Sequence, residues 1–245
     1  MGIEKVIYNT EDPKLRKWIA EVNERFASEG ETIYKARNEI KVMEGPKGEL
    51  LNVKRYKVPF FPNNYIYAAL RDPKALRAFR NAQGLKELGI CTPEPLGVVL
   101  YKDWRGLRQS YLVTRQIEFR RNMYEFGEGR GLEGRDEIVR AFGRFSAYLH
   151  DRGVLHLDYS PGNILFDEVN EGEYRFCLVD VNRMKFGEVS MEEGGRNFRR
   201  LWGGEPFFRI LAEEYAGVRG FDQTETWNRI YHHRHQFWKG TSVDF

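Results

Sequence analysis

Hydrophobic positions change their period along this chain, and the changes divide it. Residues 12–28 place Leu15, Trp18, Ile19, Val22 and Phe26 three or four apart, which predicts one amphipathic helix. The segments TIYKAR, NEIKVME and ELLNVKRYK, between residues 32 and 57, are short and rich in β-branched and aromatic residues. Gly45-Pro46-Lys47-Gly48 separates the last two as a hairpin turn, so a three-stranded antiparallel meander is expected. Asp72-Pro73 then predicts a helix start, with Asp as N-cap and Pro in the first turn, and Gly89 predicts its end near Leu88. LGVVLYK and RQSYLVTRQ read as two strands around a loop at 103–107.

The second half is different. Ile138, Val139, Phe142, Phe145 and Leu149 form a helical stripe within 134–152. HLDYSPGN follows as a loop, and ILFDE and RFCLVDV as short strands around a turn at 170–173. Beyond Glu192 the pattern is helical to the end, with Phe198, Leu201, Trp202, Phe207, Ile210, Leu211 and Tyr215 as expected core. The pattern predicts an α+β chain: a β-rich N-lobe over about 1–117 and an α-rich C-lobe over about 118–245, within one domain. A hinge near 117–126 would leave a cleft, the usual place for a ligand.

Composition narrows the classes of function. The 245 residues are 41% hydrophobic and 31% charged, as in a globular protein, with a net charge of only +3. The basic residues form no single stripe and no nucleic-acid motif is present, so nucleic acid is not an expected partner. They cluster locally instead, at Arg105/Arg108, Arg120/Arg121 and Arg196/Arg199/Arg200, which suits phosphate or anionic headgroups. Arg196 and Arg200 are expected to share a helical face. Cys91 and Cys177 have no metal-ligand spacing and predict free thiols. His232, His233 and His235 also lack it and suggest a solvated or anion-binding face. The N-terminal segment has no apolar leader and no myristoylation pattern, and no apolar run is long enough to span a bilayer. A cytoplasmic location, with peripheral membrane contact open to it, is the expectation.

The strongest chemical signal is Asp158, followed five residues later by Asn163 in HLDYSPGN, with Asp180 at the end of the next apolar strand. Phosphoryl transfer needs a carboxylate near the attacking hydroxyl and hard oxygen ligands for Mg²⁺. This spacing can supply both. Tyr159 and Arg183 flank these residues and are candidate acceptor contacts.

HLDYSPGNILF resembles the H-R-D loop and asparagine of protein-kinase-like enzymes, with Asp180-Val181-Asn182 in place of Asp-Phe-Gly. Together with YKARNEIKV, LNVKRYKVP, LKELGICTPEPLG, FCLVDVNRMKFG and EEGGRNFRRLW, it is similar to the bacterial lipopolysaccharide core kinase family, from about Ile33 to about Phe221. The resemblance implies a two-lobed protein-kinase-like fold, ATP and Mg²⁺ as cofactors, and a lipid-linked saccharide bearing Kdo or heptose as acceptor at the inner membrane. It implies Asp158 as the catalytic carboxylate, Asn163 and Asp180 as metal ligands, and His156 as a brace. Lys54 would contact the α- and β-phosphates, Arg37 would add charge near them, and Gln116 to Glu118 would form the hinge under adenine.

Two departures accompany it. No GxGxxG loop is present; the equivalent turn lies near Ala36-Arg37-Asn38. The helix of 73–88 should carry a glutamate for Lys54 near position 78 or 80, where Ala78 and Arg80 stand. A kinase for a protein or small metabolite, and a pseudokinase that only binds, are the alternative readings.

Overall fold

A computed structural model describes residues 2–57, 72–104, 106–127 and 134–240. Arg105 and residues 241–245, the end of the expected last helix, lie outside them. The chain forms two compact units, Met1–Glu118 and Phe119–Phe245.

The first unit contains β1 (Gly2–Tyr8), α1 (Pro13–Ala20), α2 (Val22–Ser28), β2 (Glu31–Lys35), β3 (Glu39–Glu44), β4 (Leu50–Tyr56), α3 (Lys74–Glu87), β5 (Pro95–Asp103) and β6 (Gly106–Arg115). The expected meander β2-β3-β4 is part of a six-stranded antiparallel sheet ordered β1-β5-β6-β4-β3-β2. Strand periodicity sorts its side chains between two cores. Val53, Val99, Tyr101, Tyr111 and Val113 bury with Trp18, Ile19, Val22 and Phe26 of α1 and α2. Tyr56, Val98, Leu100 and Leu112 bury with Ala75, Ala78 and Phe79 of α3. The central strands are thus buried on both faces, which is why LGVVLYK reads as a continuous apolar run.

Three local expectations change. The single helix of 12–28 is two, broken at Glu21, where ψ reaches 6°; the apolar stripe stays in register across the break, so periodicity does not reveal it. Asp72 does not cap α3. Pro73 is the N-cap, in extended geometry, and the Asp72 carboxylate is drawn to Arg80. β1 was not anticipated; it extends the sheet beyond β5. Gly89 does end α3: its φ of +72° lets Ile90 N–H reach back to the Leu85 carbonyl at 2.9 Å.

The second unit contains β7 (Arg121–Asn122), α4 (Asp136–Asp151), β8 (Val154–His156), β9 (Ile164–Asn170), β10 (Glu173–Leu178), β11 (Met184–Phe186), α5 (Met191–Asn197), α6 (Glu205–Arg219) and α7 (Gln223–Trp238). Its strands form two small antiparallel sheets, β10-β9-β7 and β11-β8. α4 buries Ile138, Val139, Phe142 and Leu149. Phe142 meets Tyr159 at 5.9 Å, Phe176 at 5.6 Å and Phe207 at 6.4 Å, so the loop after β8, strand β10 and α6 close on one aromatic core. α5 begins with a capping box in which Ser190 and Glu193 satisfy each other's backbone N–H groups. Trp202, expected in the core, is 42% exposed and rests edge-on against Tyr124 at 4.8 Å. Ile210 is only half-buried, whereas Phe208, two residues before it on α6, is buried. The helix expected to carry all three of Arg196, Arg199 and Arg200 ends at Asn197. A 3-10 turn over Phe198–Arg200, set by burial of Phe198, follows, and Arg196, Arg199 and Arg200 still line one pocket.

Candidate active site

β8 delivers His156 and Asp158 to the end of the small β11-β8 sheet. His156 is buried. Its Nδ1 accepts the Asp158 backbone N–H at 3.1 Å, which leaves Nε2 to donate to the Val179 carbonyl at 3.1 Å. Burial pushes the imidazole pKa below its ordinary value, so the ring is neutral at pH 7. Asn197 Nδ2 donates to the His156 carbonyl at 2.9 Å, tying α5 to the same point.

The next residues turn back on this anchor. The Asp158 carbonyl accepts Ser160 N–H at 2.8 Å and Asn163 Nδ2 at 2.9 Å. Because a carbonyl can only accept, the Asn163 amide nitrogen must face it. The Asn163 Oδ1 is then the atom left for another ligand. Asn163 in turn accepts the Val179 N–H at 3.0 Å on its backbone carbonyl. Val179 is therefore held on both peptide faces, by His156 and by Asn163, and it delivers Asp180 directly after it.

Asp180 is the one non-glycine residue with positive φ, +55°, among the described residues. That conformation is strained for a side chain with a Cβ, and Asp tolerates it better than most. Asn182, buried, donates Nδ2 to Asp180 Oδ1 at 2.7 Å and orients the carboxylate. Asp158, Asn163 and Asp180 are thus brought together within one hydrogen-bonded frame.

Arg200 adds what sequence reasoning did not assign: its Nη1 contacts Asp158 Oδ1 at 2.5 Å. No spacing rule links positions 42 apart. Tyr159 is buried, and its hydroxyl shares a 2.9 Å hydrogen bond with Ser146, which anchors the loop from beneath. Arg183 is exposed and its carbonyl accepts Leu157 N–H at 2.8 Å.

The remaining expected residues belong to the first unit. Lys54 is half-buried on β4, opposite Ile40 and Leu112, with Nζ 5.1 Å from the Tyr56 ring centroid. α3 carries no acidic residue before Glu87. Arg37 is exposed in the turn between β2 and β3, which closes through Ala36 N–H to the Asn38 carbonyl at 3.0 Å. Gln116 is fixed by its own unit: its N–H donates to Leu50, Nε2 to the Ile117 carbonyl, and Oε1 accepts from Asn52, each at 2.9 Å. Glu118 is exposed.

A carboxylate at Asp180 and an amide oxygen at Asn163 are hard donors of the kind Mg²⁺ uses when phosphates complete its shell. Among the described residues no cluster of three or more His, Cys, Asp or Glu is placed to hold a metal by itself. No described helix is long and apolar enough to cross a membrane.

An antiparallel sheet unit followed by a helical unit with this loop is the protein-kinase-like fold. The structure of WaaP in complex with acyl carrier protein shares it, with a TM-score of 0.64 over 96% of this chain and 100% of that one, at 15% identity. The amicoumacin kinase hAmiN shares it more loosely, with a TM-score of 0.50 over 85% and 72% at 11% identity. The chain belongs to the lipopolysaccharide kinase (Kdo/WaaP) family, whose model matches residues 18–202. It is 28% identical over 128 residues to a 3-deoxy-D-manno-octulosonic acid kinase of Actinobacillus succinogenes, covering 52% of this chain and 51% of that one. It is 28% identical over 129 residues to one from Haemophilus influenzae strain PittEE, covering 52% of each. The chain thus spans about half the length of the curated relatives it matches.

Proposed function

We propose that this chain is an ATP-dependent kinase that phosphorylates a sugar hydroxyl, on Kdo or heptose, of the lipopolysaccharide inner core. The observation that carries the reading is the frame in which Val179 holds Asp158, Asn163 and Asp180 together. Family membership and the relatives' names give the acceptor class.

In this reading the acceptor oxygen forms a bond to the γ-phosphorus as the bond to the β,γ-bridging oxygen breaks, and ADP leaves. Asp158 orients the hydroxyl and receives its proton, while Arg200 holds the carboxylate in position. Asn163 Oδ1 and the Asp180 carboxylate would hold Mg²⁺, which spreads the phosphate charge when bound. Lys54 is the proposed contact to the α- and β-phosphates, with Arg37 as added charge. Gln116 to Glu118 are proposed to meet adenine, chiefly through backbone groups, because the Gln116 side chain is already bonded on both ends. The acceptor is a lipid-linked saccharide at the cytoplasmic face of the inner membrane, met by peripheral contact.

A second reading has one observation in its favour. α3 carries no acidic residue before Glu87, a departure from the family pattern that a non-catalytic nucleotide-binding module would tolerate. Incubation of wild type, Asp158→Ala and Asp180→Asn with ATP, Mg²⁺ and Kdo-lipid A separates the two. Phosphate entering the glycolipid with wild type alone, all three proteins being folded, supports the kinase. Mg-ATP binding without transfer to any saccharide or protein acceptor supports the module, and absence of nucleotide binding overturns both.

A further inference from the structure

A pocket of about 240 Å³ lies beside the catalytic loop within the second unit. Leu157 and Tyr159, on either side of Asp158, belong to its lining, and Lys185, Arg196, Arg199 and Arg200 contribute four cations. Glu193 is the one carboxylate in the lining, and it is engaged by Lys185 and by the Ser190 N-cap. Arg196 is paired with Glu192 at 3.1 Å and Arg200 with Asp158.

Arg199 is different. Among the described residues it has no carboxylate partner. Its Nη1 donates to the Arg196 carbonyl at 3.3 Å, and its guanidinium stands 5.8 Å from the Phe237 ring. Burial, and then the neighbouring charges of Arg200 and Arg196, push its pKa below the ordinary arginine value. A half-buried guanidinium beside two others is destabilising until a counter-charge arrives. The Arg200 Nε, independently, is buried without a hydrogen-bond acceptor among the described residues. Buried donors are rarely left so, and this one belongs to a residue of the same lining.

We infer that this pocket is the subsite for an anionic group of the acceptor, a carboxylate or a phosphate, with Arg199 as its principal cation and Arg196 as its second. The acceptor assignment rests on the sugar-kinase reading; the anion site stands on these side chains alone. Arg200 belongs both to the pocket and to the Asp158 ion pair. An anion seated there is one guanidinium away from the carboxylate that receives the hydroxyl proton. The pocket therefore selects acceptors that carry a negative charge close to the reacting hydroxyl.

The test has two arms. Inorganic phosphate is titrated into the full chain while the arginine Nε–Hε resonances are followed. Saturable shifts of Arg199 and Arg196 are expected, with affinity falling roughly tenfold or more in Arg199→Gln, as for loss of a charge-assisted hydrogen bond, and partly restored in Arg199→Lys. The fold should survive, since Trp238 Nε1 binds the Arg199 backbone carbonyl and not its side chain. Resonances that do not move, or equal affinity in Arg199→Gln, overturn the site. In the second arm, Arg199→Gln should raise the KM for Kdo-lipid A by about tenfold, with most of the effect on KM and less on kcat. Wild type should show the same rise with the Kdo carboxylate esterified if the carboxylate is bound, or with lipid A phosphates removed if a phosphate is. An unchanged KM in Arg199→Gln overturns the acceptor subsite. If wild type transfers nothing while phosphate still titrates Arg199, the sugar-kinase reading has failed and the anion site stands.

Discussion

Val179 offers no side-chain chemistry, yet its two peptide groups join the loop of Asp158 to Asp180 through His156 and Asn163. Replacing His156 with Phe keeps a ring and removes both nitrogens. It strands the Val179 carbonyl and the Asp158 N–H. Urea unfolding should report a loss of about 1–3 kcal/mol, and transfer should fall through kcat with the KM for ATP little changed; full stability in this variant would refute the brace. Asp158→Asn should do the opposite, keeping the fold while transfer drops by about 10²–10⁴, measured as phosphate incorporated per enzyme. The grouping of Asp158, Asn163 and Asp180 was legible in the sequence because a short loop followed by a strand end can bring these positions together. The frame around them was not. Backbone partners such as Val179 leave no signature, and Arg200 reaches Asp158 only because the chain after α5 tightens into a 3-10 turn.

At the level of elements, α5 packs where only a glycine fits. A Cβ on Gly194 would stand 2.1 Å from the Tyr215 hydroxyl and 3.3 Å from His150 Nδ1. That hydroxyl accepts from Arg219 Nη1 at 2.7 Å and so donates to His150 Nδ1 at 2.7 Å, linking α6 to α4. Gly194→Ala should therefore cost about 1–3 kcal/mol by overpacking. Adding Tyr215→Phe to it should cost less than Tyr215→Phe alone, a non-additivity read from a double-mutant cycle; strictly additive values would remove the contact from the account. Elements whose period matched their environment, such as the β2-β3-β4 meander and α4, could be read from sequence. The break at Glu21 could not, because Lys17, Glu21 and Arg25 continue helical ion pairing across it. Nor could the early end of α5, where the burial of Phe198 outweighs helix propensity.

Across the whole molecule, titratable chemistry is unevenly shared between the two units. All five histidines fall after residue 118, at 150, 156, 232, 233 and 235. Burial, reinforced by Arg219, pushes His150 down to about 3, and burial also lowers His156. Both are native as neutral rings with Nδ1 accepting a hydrogen bond. An unfolded histidine titrates near 6.5, so below that pH the unfolded second unit binds protons that the folded one does not. Stability must then fall as pH drops, by up to about 1.4 kcal/mol per pH unit for each such group. Carboxylates held low by partners, Glu94 by Arg115 in the first unit and Glu192 by Arg229 in the second, begin to lose their stabilising pairs only below their ordinary range near 4.5. The window from 6.5 to 5 therefore belongs to the histidines, and the first unit has none. Hydrogen exchange at pH 7 and pH 5, corrected for the intrinsic rate, should show protection falling in α4, β9 and β10 while β4, β5 and β6 keep theirs. His150→Gln should flatten the dependence in the second unit. Equal loss of protection in both units, or no loss in either, would mean that the buried rings do not control acid stability.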